Sequence, residues 1–138
     1  MLCEARSGYI CNFDIYCARG IKLKETILSA PVEINPWTDV YNATLEHDVC
    51  PQIQQGKYDG SEDCLHLNVY TPKLDFTKKE TVKPVLVWIH GGAFRNGANA
   101  KDVYGPDRYI EEDVIMVAMK YRLGPLGFLS LDHPDARG

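Results

Sequence analysis

The sequence predicts an α/β fold, and three observations carry that prediction. Two fully apolar runs, Val85-Leu-Val-Trp-Ile89 and Val114-Ile-Met-Val-Ala-Met119, read as strands buried on both faces, as at the centre of an α/β sheet. Between them, Pro106 followed by Asp107 suits the first turn of a short helix over residues 106–112. Strand, helix and strand in succession make a right-handed βαβ unit the economical arrangement.

Taken in order, residues 1–29 form a divergent, unassigned N-terminal segment, and residues 30–138 form the main, partial domain. Within the first segment, the alternation of Tyr9, Cys11, Phe13 and Ile15 with Ile10, Asn12 and Asp14 predicts a short strand over residues 8–16. Prolines at 31, 36 and 51 and several Asp and Asn residues make residues 30–60 loop-dominated. Leu65-His-Leu-Asn-Val-Tyr-Thr71 alternates apolar and polar residues and stops at Pro72, which predicts a strand with one buried face. Residues 72–83 form a charged loop, Pro84 opens the strand at 85–89, and a loop runs from 91 to 105.

Composition is that of an ordinary globular chain: 45% hydrophobic and 25% charged among 138 residues. The net charge of −4 is spread without long blocks, so no basic face suits nucleic acid, and nucleic-acid binding is not expected. The apolar runs are far shorter than the roughly 20 residues that cross a bilayer, so no transmembrane segment is expected. Early charges and a glycine in Met1-Leu-Cys-Glu-Ala-Arg-Ser-Gly8 interrupt any signal-peptide core.

The five cysteines, at 3, 11, 17, 50 and 64, form no CxxC pair, which argues against a zinc ribbon or thioredoxin-type motif. Cys50 and Cys64 bracket a polar, turn-rich segment that a disulfide could usefully close, with two unpaired thiols as the alternative. Asn42-Ala-Thr44 is a glycosylation sequon.

The chemistry-bearing stretch is the end of the strand at 85–89, which breaks into His90-Gly91-Gly92-Ala93-Phe94. Glycines after a buried strand expose backbone N–H groups in conformations other residues resist, which suits a developing negative charge. On the dipeptide alone, a plain strand-to-loop turn is the simpler reading. A P-loop is excluded, since residues 91–99 lack the Gly-Lys-Ser/Thr ending. No cofactor or metal site is expected, and Cys64-x-His66 has no further ligands nearby.

Three motifs, Glu62-Asp-Cys-Leu-His-Leu-Asn-Val-Tyr-Thr-Pro72, Pro84-Val-Leu-Val-Trp-Ile-His-Gly-Gly-Ala-Phe94 and Tyr121-Arg-Leu-Gly-Pro-Leu-Gly-Phe-Leu-Ser130, resemble the type-B carboxylesterase family, which includes the cholinesterases. Pro36-Trp37 and Ala43-Thr44 ahead of Cys50-Pro-Gln52 extend the resemblance to about residue 30. It implies the N-terminal part of an α/β-hydrolase fold and a disulfide between Cys50 and Cys64. It also implies oxyanion-hole amides from Gly92 and Ala93, with Gly91 allowing a tight turn. Many relatives carry a third glycine where Ala93 stands, and the amide N–H survives that change.

Ester cleavage passes through a tetrahedral oxyanion that preorganised N–H donors stabilise more than the neutral carbonyl. The triad histidine of such hydrolases comes last in chain order, so His90 is expected to orient the glycine loop, while His47, His66 and His133 are expected at surface or loop positions. Glu62 and Asp63 are expected in structural interactions, with Arg122 as a candidate partner. The serines, at 7, 29, 61 and 130, have no glycine two residues to either side, so the nucleophile elbow Gly-x-Ser-x-Gly is absent. The chain therefore reads as the N-terminal part of a carboxylic-ester hydrolase, a small-ester enzyme of the secretory pathway or cell exterior, and is expected to be inactive alone. A fragment of a non-catalytic cholinesterase-like adhesion protein is the alternative, which the elbow residue would discriminate. Residues 7–16 also resemble a piece of piggyBac-type transposase, which would make residues 1–20 foreign to the domain.

Overall fold

The computed structural model describes the backbone of residues 12–15, together with residues 31, 43, 46–72 and 82–132. Asn42 and His133 lie outside the described residues. Four strands form one mixed sheet: β1 (Asn12–Ile15), β4 (Leu67–Tyr70), β6 (Ile115–Met119) and β5 (Val85–Ile89), in the order β1-β4-β6-β5. β2 (Gln52–Gln54) and β3 (Lys57–Asp59) form a separate hairpin. Two short helices, α1 (Asp107–Glu111) and α2 (Gly124–Phe128), complete the elements.

β5 and β6 run parallel, in register from Val85 opposite Ile115 to Ile89 opposite Met119, and α1 lies between them in sequence. The expected strand-helix-strand unit is thus present. Pro106 occupies the N-cap of α1 with Asp107 in the first turn, where a missing N–H and an acidic side chain both suit the helix start. β4 lies antiparallel to β6, with Leu67 opposite Met119 and Tyr70 opposite Met116. The segment left unassigned in the sequence contributes β1, within the 8–16 expected for a strand, and the described residues pair antiparallel with β4 from Asn12 opposite Tyr70 to Ile15 opposite Leu67.

The core sits where α1 meets the sheet. Tyr70, Ile110, Met116 and Ala118 are buried there, with Leu86, Trp88 and Tyr104 packed against them. This placement corrects two expectations about burial. β5 is not covered on both faces: Leu86 and Trp88 point to the α1 side, while Val85, Val87 and Ile89 are 57%, 57% and 62% exposed. β5 is the edge strand, and among the described residues no helix or strand covers its other face. β4 is buried on both faces rather than one, since Asn68 is enclosed as well as Leu67 and Tyr70. Its amide tolerates enclosure by donating to the Tyr70 hydroxyl at 3.1 Å, which offsets the loss of water.

A second apolar cluster contains Cys50, Cys64 and Leu123, with Leu65 and Tyr121 against it. Cys50 and Cys64 are joined by a disulfide, as the family resemblance implied. The segment they enclose is not a plain loop. Gln55 and Gly56 both adopt positive φ, 51° and 77°, the condition for a two-residue type I′ turn that matches strand twist. The resulting hairpin is mostly exposed and carries no apolar alternation, which hid it in the sequence.

Candidate active site

The glycine loop begins where β5 ends. Gly92 (φ 128°), Ala93 (φ 51°), Phe94 (φ 59°) and Gly97 (φ 127°) all lie at positive φ. The tight turn therefore falls on Gly92 and the residues after it, whereas Gly91 was expected to provide it. A Cβ at Gly91 would meet nothing, while one at Gly92 would strike the Asn96 carbonyl oxygen. The turn is closed by the amides of Arg95 and Asn96, which donate to the Gly92 carbonyl at 3.0 and 3.2 Å. Among the described residues, the amides of Gly92 and Ala93 donate to no acceptor in the chain. Both residues line a cleft of about 730 Å³ whose other walls include Ile53, Tyr58, Leu123 and Pro125.

Three sets of bonds fix this loop. The Gln52 carboxamide Oε1 accepts from the Gly97 amide at 2.9 Å and its Nε2 donates to the Gly97 carbonyl at 3.0 Å. The Tyr121 hydroxyl donates to the His90 carbonyl at 2.9 Å, and the Gly124 amide donates to the Phe94 carbonyl at 2.7 Å. Past the loop, the buried Asn99 donates to the Ala118 carbonyl at 3.0 Å, pinning the chain to β6. His90 is buried and orients the loop rather than facing the cleft, as its place in the chain implied. Its Nδ1 lies 2.8 Å from the Gly91 carbonyl, an acceptor only, so the proton sits on Nδ1. Its ring stacks on Tyr121 at 4.4 Å. Phe94 and Phe128 meet edge to face at 4.9 Å, joining the loop to α2.

Sequence reasoning missed Gln52, Asn99 and α2. Gln52 sits in the Cys50-Pro51-Gln52 match, but nothing in the sequence placed it against a loop 45 residues away. Helix α2 is five residues long, starts Gly124-Pro125 and buries none of its residues, so it leaves no apolar periodicity.

A separate polar cluster lies beside the disulfide. His66, expected at a surface or loop position, lies just before β4 outside any strand, yet is 2% exposed and stacks on His47 with centroids 3.8 Å apart. Its Nε2 donates to the Asp63 carbonyl at 3.1 Å and lies 3.6 Å from the Asp63 carboxylate. Burial holds the His66 imidazole below its ordinary pKa; His47 and Lys120 push it the same way, while the two Asp63 contacts oppose them. Lys120 is itself buried, donating to the carbonyls of His47 and Asp48 at 2.6 and 3.0 Å. Among the described residues no group of His, Cys, Asp and Glu could hold a metal ion, and no helix is long and apolar enough to cross a membrane. A second cleft, of about 660 Å³, opens beside Trp88, Tyr104 and Arg108 and holds none of the glycine-loop residues.

A mixed sheet with a parallel β5-α1-β6 unit and a strained glycine loop at the end of β5 marks the beginning of an α/β-hydrolase fold. The crystal structure of juvenile hormone esterase from Manduca sexta, with OTFP covalently attached, superposes with a TM-score of 0.68 at 35% identity, covering 80% of this chain and 22% of that one. The chain belongs to the carboxylesterase family, whose profile matches residues 25–138. It is 42% identical to the juvenile hormone esterase of Tribolium castaneum over 79% of this chain, and 41% identical to the acetylcholinesterase of Gallus gallus over 75%. It is 43% identical to the para-nitrobenzyl esterase of Bacillus subtilis over 74%. These matches span 19%, 15% and 22% of the three relatives, so the chain corresponds to about a fifth of their length.

Proposed function

We propose that this chain supplies the oxyanion-stabilising segment of a carboxylic-ester hydrolase of the serine type, with residues 30–138 as part of its catalytic domain. The observation that carries the reading is the pair of adjacent amides at Gly92 and Ala93, held in a pinned loop, without an acceptor, on the wall of a cleft. Donors fixed before reaction need no reorganisation as charge develops on the carbonyl oxygen, and removing one typically costs ~10²–10³ in turnover. Gly91 contributes the residue between strand and turn and leaves the approach open.

The substrates are small carboxylic esters, a class to which the names of the esterase and acetylcholinesterase relatives point. The Cys50–Cys64 disulfide favours an oxidising compartment, the secretory pathway or the cell exterior, where Asn42 would be a glycosylation acceptor. The 138 residues contain no Gly-x-Ser-x-Gly elbow, so by themselves they stabilise an oxyanion without generating one.

The test is a chimera in which residues 46–132 replace the matched stretch of the Bacillus subtilis para-nitrobenzyl esterase. The chimera is expected to hydrolyse p-nitrophenyl acetate, and the isolated chain to stay at the buffer rate. A folded chimera without activity, or a stoichiometric burst of p-nitrophenol from the isolated chain, contradicts the reading.

A further inference from the structure

We infer that Gln52 is a positioning residue for the glycine loop: its carboxamide, carried on the disulfide-closed lobe, sets the aim of the Gly92 and Ala93 amides. The inference rests on the reading of those amides as oxyanion donors.

Gln52 follows Cys50 and Pro51 directly and is 6% exposed. Its carboxamide uses donor and acceptor together: Oε1 takes the Gly97 N–H, and Nε2 gives to the Gly97 carbonyl and, at 3.2 Å, to the Cys50 carbonyl. Two antiparallel bonds to a single residue fix its rotation as well as its place, as a β-bridge would. A flipped amide would set donor against donor, so one orientation is selected. In a buried site, each bond left unmade would cost its full desolvation.

Gly97 passes this restraint onward. At φ 127° it lies against the start of the loop so closely that a Cβ there would run into His90 Nδ1 and the Gly91 carbonyl oxygen. The path therefore runs from Cys50–Cys64 through Gln52 to Gly97, then by direct packing to His90 and Gly91, the residues covalently preceding Gly92 and Ala93. Tyr121 and Gly124 restrain the loop from the β6 and α2 side. Gln52 restrains it from the hairpin side, so the loop is held between two lobes. A side chain needed only to fill that space would not require both polar functions of an amide.

The experiment compares the complete, oxidised chain with its Gln52→Met and Gln52→Glu variants by residue-resolved amide exchange, and the same substitutions in the chimera by kinetics. Methionine keeps the length and loses every bond; glutamate keeps the acceptor for the Gly97 N–H. Gly97 exchange is expected to quicken at least ~10-fold in Gln52→Met and stay protected in Gln52→Glu, with β4 and β6 amides unchanged in both. In the chimera, Gln52→Met is expected to lower kcat about 10-fold with KM within about twofold, and Gln52→Glu to recover part of that loss. A Gly97 amide that is unprotected in the unsubstituted chain, or equally protected in Gln52→Met, overturns the inference. So does an unchanged kcat, or a loss confined to KM. Replacing Ala93 by L-lactic acid in the chimera separates the two readings: if that ester leaves kcat intact, the oxyanion reading fails while the Gly97 exchange result still stands or falls alone.

Discussion

Removal of the Cys50–Cys64 disulfide, as Cys50→Ala with Cys64→Ala, is predicted to release the β2–β3 hairpin before it disturbs the sheet. The bridged residues are 14 apart in sequence, and closing a loop of that size in the unfolded chain is worth about 3 kcal/mol. Against the 5–15 kcal/mol typical of a whole domain, that is a large share of about any stability this chain can have. With a urea m-value of about 1.5 kcal/mol/M, the unfolding midpoint should fall by about 2 M. The loss should also be local. The hairpin strands contact mainly each other, and the lobe is tied to the rest of the chain by the disulfide, by Gln52 on Gly97, by Lys120 on residues 47 and 48, and by the Tyr121 cluster. Urea titration gives the magnitude, and amide exchange gives the location: residues 57–59 and 97 should lose protection well before 115–119. A midpoint shift under about 0.5 M, or protection lost uniformly across β4, β6 and the hairpin, would refute the reasoning.

His66 predicts an acid-sensitive fold. Its folded pKa lies below the ordinary 6.5, so the unfolded chain takes up a proton more readily and stability rises with pH across that interval. Stability is therefore fully present above 6.5 and falls as the pH drops below it; urea midpoints at pH 7.5 and 5.5 should show the fall, and His66→Asn should reduce it. An equal or higher midpoint at pH 5.5 in the unsubstituted chain would count against this. Ala93→Gly removes a left-handed residue with a Cβ, worth about 1–2 kcal/mol, against about 0.4–1 kcal/mol of extra unfolded-state entropy. The net expectation is roughly 0.5–1 kcal/mol of stabilisation in urea titration, and a destabilised variant would contradict the positive φ.

The sequence was most legible where physical signals were local. Val85–Ile89 is bounded by Pro84 and by His90 ahead of two glycines, and the strand found there has those limits. α1 and β6 are each within one residue of expectation, because Pro106 and Asp113 punctuate them. What stayed hidden depends on distant partners. The open face of β5 could not be read from Val85, Val87 and Ile89, since an apolar run announces the wish for cover and not its presence. His66 looks like the polar half of an alternating strand, yet it is buried with its ring stacked on His47, 19 residues away in sequence. At the candidate site, the break from strand to glycines was a local signal, while Gly92 and Ala93 were singled out as donors by the family resemblance alone. The strain at Phe94 and the Gln52 clamp were not, because neither backbone sign nor a contact across 45 residues leaves a local signature.

The central claim is that the Ala93 N–H, with that of Gly92, stabilises charge developing on an ester carbonyl. The most direct measurement replaces Ala93 with L-lactic acid in the chimera, which exchanges one backbone N–H for an oxygen and leaves the side chain in place. The account predicts that kcat for p-nitrophenyl acetate falls by ~10²–10³ with KM little changed. A kcat within about threefold of the unsubstituted chimera would contradict it.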